Sequence, residues 1–127
     1  MSSILQDIRK MIGPSETYTH FDRDLIIHIN SVFTILNQLG VGPESGFAIT
    51  GETEDWSDFL PEGEQLELVK SYMYLKVKLV FDISTMTSPL IDAMKRQIEE
   101  FEWRLNVAVD PKKETEQSAT RTNHALL

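Results

Sequence analysis

Three histidines and a few acids are the side chains in this sequence that could do chemistry. His20-Phe-Asp22-Arg-Asp24 sets metal-ligand residue types at alternating positions ahead of a helical stretch. Two acids in that place are first of all helix caps, because a side-chain acceptor and a negative charge both suit a helix start. His28 falls inside the apolar arc of the helix that follows and reads as a hydrogen-bonded or interface histidine, not a base. His124 belongs to a polar C-terminal stretch. Glu99 and Glu100 are adjacent on a helix, so their carboxylates point in different directions. Asp55 and Asp58 share a loop without the surroundings of a substrate pocket. There is no Gly-rich phosphate loop, no Gly-x-Ser-x-Gly elbow and no His-Glu-x-x-His. With no cysteine there is no thiol nucleophile, zinc-thiolate site or disulfide. The chain reads as a non-enzyme: no catalytic residue, no metal, no cofactor.

The elements are clearer than the chemistry. Ile4, Leu5, Ile8, Met11 and Ile12 have helical spacing, and Gly13-Pro14 stops the run. Asp24 to Leu39 is the most apolar segment. Leu25, Ile29, Val32, Leu36 and Leu39 form one stripe, widened by Ile26 and Phe33 on one side and Ile35 on the other. Asp22 or Asp24 is expected to cap it, Phe21 to act as its staple, and Gly40 to end it in the left-handed conformation. This segment is expected to be the central helix of the fold.

From Val41 to Gly63 the helical period disappears. Gly46 to Gly51 suits a short extended piece or hairpin, and Trp56 and Phe59 suit anchors of a long loop. A third helix is expected from Gln65 to Phe81. One stripe is Leu66, Val69, Met73, Val77 and Val80, and a second is Leu68, Tyr72, Leu75 and Leu79. Two stripes imply either a helix sandwiched within the chain or a second face that meets another subunit. A fourth helix is expected from Leu90 to about Val107, with Ser88 as cap and Pro89 in the first turn. Its core stripe is Leu90, Ile91, Met94, Ile98, Phe101 and Leu105, while Trp103 points away among charged residues. Together these predict an all-α fold, a small four-helix bundle over residues 1–109 with a long loop between helices 2 and 3. A polar tail or arm follows over residues 110–127.

Length and charge narrow the function classes. A chain of 127 residues is one domain with enough bulk for a core. The start is charged and periodic, unlike a signal peptide, and no apolar run approaches the roughly 18 residues of a membrane span. The protein is therefore expected to be soluble and to stay in the compartment where it is made. The net charge is −8, and the segment from Glu44 to Val69 holds eight acids with no Lys or Arg. An acidic protein lacks the cations that displace counterions from DNA, which disfavours a helix-turn-helix reader. A small helical regulatory partner acting as a dimer remains an alternative.

The order and spacing of several segments resemble the head–tail connector (adaptor) proteins of long-tailed phages and prophages of Gram-positive bacteria. The segments are Ile-Leu-x-Asp-Ile-Arg-Lys-Met-Ile-Gly (Ile4 to Gly13) and Asp24-Leu-Ile-Ile-His-Ile-Asn-Ser-Val-Phe33 with Leu36-Asn-Gln-Leu-Gly-Val-Gly-Pro43. Trp56-Ser-Asp-Phe-Leu60, Val69-Lys-x-Tyr-x-Tyr-Leu-Lys-Val-Lys-Leu-x-Phe-Asp82 and Glu102-Trp-Arg-Leu-Asn-Val107 complete the set. The resemblance implies a virion protein, assembled in the bacterial cytoplasm. Copies would form a ring, dodecameric in the virion, beneath the portal protein. That ring would extend the channel for double-stranded DNA and receive a tail-completion or stopper protein. The family's C-terminal arms imply portal contacts by Lys112, Lys113, Arg121, Leu126 and Leu127. Leu68, Tyr72, Leu75, Leu79, Arg96 and Trp103 suit contacts between subunits. Glu52, Glu54, Asp55, Asp58, Glu62 and Glu64 suit a channel wall that DNA slides past without sticking.

Overall fold

The computed structural model describes residues 3–12 and 21–109. The fold is all-α. Its elements are α1 (Ile4–Ile12), α2 (Asp22–Gln38), a one-turn α3 (Trp56–Phe59), α4 (Glu64–Asp82), a 3-10 turn (Ile83–Thr85) and α5 (Ser88–Val109). The expected third and fourth helices are thus α4 and α5, and the long loop carries a short helix of its own.

Helix α1 starts on a reciprocal cap. The Gln6 amide donates to Ser3 Oγ at 3.1 Å, and the Ser3 amide donates to Gln6 Oε1 at 3.2 Å. Its buried face is Ile4, Leu5 and Ile8, while Met11 stays exposed at the end of the stripe. Helix α2 begins without a side-chain cap, so Asp22 and Asp24 do not play that role. Phe21 occupies the capping position and its ring meets Phe81 edge-on, with centroids 6.3 Å apart. The other end is a Schellman turn. Gly40 has φ +84°, the Gly40 amide donates to the Asn37 carbonyl, and the Val41 amide donates to the Leu36 carbonyl. Val41 and Leu36, both buried, supply the apolar contact that accompanies such a turn.

Among the described residues there is no strand, so the expected hairpin does not form. Asn30 takes the place of a partner strand. Its Nδ2 donates to the Ile49 carbonyl at 2.9 Å, and its Oδ1 accepts from the Ile49 amide at 2.7 Å. The loop then folds back under its own aromatics. Phe33, Phe47 and Phe59 form a ring cluster with centroids 4.7 to 5.4 Å apart, and Trp56 is buried beside it in the core. Asp58 caps α3 by accepting the Asp55 amide at 2.9 Å.

The middle of the bundle is α4, not α2. It packs against α1, α2 and α5, and Leu66, Val69, Met73 and Val77 are buried along it. Val80, at the end of that stripe, is half exposed. The second stripe is turned inward too. Tyr72 is fully buried, and Leu68, Leu75 and Leu79 pack partly buried against the core. Both stripes are therefore used inside the chain, because α5 covers the one that α1 and α2 leave open. Helix α5 begins at Ser88, two residues before the expected Leu90. Thr87 is its cap, its carbonyl accepting from the Ile91 amide at 3.0 Å, and Ser88 is already helical. Met94, Ile98 and Leu105 are buried, but Leu90 is exposed, since the chain has only just left the turn there.

Candidate assembly surfaces

Polar side chains in the interior fix how the acidic loop lies on the helices. Arg9 is 5% exposed. Its Nε and Nη2 donate to the two carboxylate oxygens of Asp22 at 3.0 and 2.8 Å, and Nη2 also reaches Glu52 Oε1 at 2.6 Å. One fork thereby ties α1 to the start of α2 and to the loop. The hydrogen bond to Asp22, with help from that to Glu52, raises the Arg9 pKa against the opposing effect of burial. Trp56 Nε1 donates to Asp7 Oδ2 at 2.8 Å, a second tie between loop and α1. Across the bundle, Tyr72 donates to Glu102 at 2.6 Å and Asn106 Nδ2 donates to the Leu39 carbonyl at 3.2 Å. Burial, then the contact with Glu102, pushes the Tyr72 hydroxyl pKa up far enough that it stays protonated.

The acids of the loop divide into two groups. Glu52 is held by Arg9, and Asp55 and Asp58 form the capping box of α3. Glu54 accepts from the Thr50 amide and hydroxyl, each at 2.9 Å, while its carbonyl accepts the Ile4 amide. Burial pushes the Glu54 carboxyl up, but the hydrogen bonds from Thr50, Glu54 and Gly51 outweigh it and hold the pKa below its ordinary value. Glu62 and Glu64, by contrast, stand exposed where the loop enters α4. Four of the six acids marked for a channel wall are thus engaged within the chain, and two are displayed.

Two outer faces are displayed as well. On α5, Trp103 is 54% exposed, on the side of the helix away from Met94, Ile98 and Leu105. Arg96 and Glu99 are exposed on the same helix, and Arg104 pairs with Glu100 at 2.8 Å. Between α2 and α4 lies a groove of about 160 Å³, lined by His28, Ser31, Val32, Ile35, Lys76, Val77 and Val80. His28 packs edge-on against Phe81 with centroids 5.4 Å apart, as an interface or packing histidine does. Tyr72, marked for contact between subunits, is interior and offers no surface to a second copy. Among the described residues no group of three or more His, Asp or Glu is placed to hold a metal ion. His20, His124 and the tail candidates Lys112, Lys113, Arg121, Leu126 and Leu127 lie outside the described residues.

The all-α bundle thus carries exposed apolar side chains on two outer faces. The model of one family, described as phage connector protein, matches residues 4–112. The chain belongs to the phage connector protein family. Membership makes it a structural component of a phage particle, in a family that is not enzymatic. No curated protein and no solved structure matched it. Among the described residues no helix of this connector is long and apolar enough to cross a membrane.

Three residues that organise this connector are silent in the sequence. Arg9 sits beside Lys10 and looks like half of a solvated pair. Asn30 looks like part of a narrow polar arc. Asp7 looks like an ordinary first-turn acid. Each acquires its role only when a residue 13 to 49 positions away folds onto it.

Proposed function

We propose that the protein is a head–tail connector subunit. Copies form a ring beneath the portal, extend the DNA channel, and present a docking surface to the next tail protein. The observation that carries this reading is the family match over nearly all of the described chain. The fold supports it. A connector must hold its shape between two rings, and here the long loop is tied to α1 and α2 through Arg9, Asn30 and Trp56.

Glu62 and Glu64, exposed and without a basic residue in the surrounding segment, suit a surface that repels DNA and lets it pass. Leu68, Leu75 and Leu79 pack against the core, so Arg96 and Trp103, both exposed, are the residues left for contacts between copies. The tail from residue 110 onward is the segment proposed to reach the portal. The test is genetic. Inactivating the gene in a phage that encodes this protein leaves heads that have packaged DNA but carry no tail. Complete, tailed particles formed without the protein contradict the proposal.

A further inference from the structure

Two features on different sides of the chain have complementary shapes and charges. The first is the groove between α2 and α4. Its lining includes one cation, Lys76, and no carboxylate, and Val80 at its wall is 50% exposed. At about 160 Å³ it is smaller than the roughly 300–1,000 Å³ of small-molecule sites, so it suits a single protruding side chain. The second is the outer face of α5. Trp103 stands out there at 54% exposure, with Glu99 one turn before it. The neighbouring Glu100 is held by Arg104, which leaves Glu99 as the outward carboxylate beside the indole. The groove is lined by α2 and α4, while the indole stands on the outer side of α5 away from its buried stripe, so the two lie on different faces. A contact between two different faces of identical copies propagates from one to the next, and closes as a ring when the rotation allows.

We propose that Trp103 of one copy seats in the α2–α4 groove of the next copy, with Glu99 of the first facing Lys76 of the second. This rests on the ring reading above and names the contact that builds the ring. Trp is the residue most often found at the energetic centre of an interface, and a charge pair at its edge fixes register.

The test uses the full chain with the cognate portal ring and reads copies bound per portal by native mass spectrometry. The wild-type protein fills the portal cooperatively, with few partial occupancies. Lys76→Glu and Glu99→Lys each set like charges against each other and raise the concentration needed for filling by roughly tenfold or more. Partial occupancies then appear. The double variant restores cooperative filling, and Trp103→Ala abolishes it. Circular-dichroism melts matching the wild type show that the variants are folded. Singles that fill like wild type, or a double variant that fails to restore filling, overturn this contact while leaving the ring intact. A wild-type protein that never fills the portal overturns both the contact and the ring.

Discussion

Arg9 ties α1 both to the start of α2 and to the loop. Replacing it with Met keeps the length of the side chain but strands the Asp22 carboxylate, only 26% exposed, against apolar neighbours. Breaking a buried pair in this way costs about 3 kcal/mol. Urea unfolding of Arg9→Met is expected to show a loss of that order, whereas Glu52→Gln, at a side chain 47% exposed, loses under ~1 kcal/mol. Equal losses would mean that the loop tie, not the α1–α2 tie, carries the energy. Glu54 makes a pH prediction. Its folded pKa is depressed below the unfolded one, so the unfolded chain binds its proton first as pH falls. The stabilisation is therefore complete above the ordinary carboxylate pKa and is lost as pH drops through the lower, folded value. Urea stability measured from neutral to acid pH falls for the wild type, and Glu54→Gln flattens part of that fall. A Gln variant with the same pH dependence would show that Glu54 is not among the responsible groups.

At the scale of elements, the loop from Gly40 to Gly63 is held by turns that only glycine makes without strain. Gly42 and Gly46 have nearly the same φ, +89° and +90°. A Cβ on Gly42 collides with the ring of Phe59, while one on Gly46 meets open space. Gly46→Ala is expected to cost about 1 kcal/mol from backbone strain alone. Gly42→Ala costs that plus roughly 1–3 kcal/mol for displacing a packed ring. Thermal melts that place the two variants together would show that the loop yields around Phe59. The contrast also marks what the sequence can and cannot tell. The helices were legible, because Leu25, Ile29, Val32 and Leu36, or Met94, Ile98 and Leu105, repeat at the period that buries one face. Gly40 was legible as a stop, since little else takes its conformation. The second stripe of α4 was not. Leu68, Tyr72, Leu75 and Leu79 would look the same facing α5 or facing another subunit, and only the packed chain shows that α5 takes them. The absence of a strand near Ile49 was equally hidden, because a side-chain amide from α2 does the work of a ladder.

For the whole molecule, the candidate surface was less legible than the fold. Trp103 stood out as a large apolar residue on the charged side of a helix, and it is exposed. The groove did not stand out. Its lining comes from α2 and α4, and no spacing within either helix announces that they leave a gap at His28, Ile35 and Val80. The acidic segment looked uniform, yet its charges split between those bonded within the chain and those that face outward. The family match makes the chain a phage connector protein, and the role proposed for it, joining other rings, belongs to the complex. The most direct measurement is the mass of the purified protein, by light scattering or native mass spectrometry, with and without its cognate portal ring. The connector account predicts stoichiometric capture, one copy per portal subunit, whether or not the free protein is already a ring. A discrete dimer that ignores the portal would contradict it.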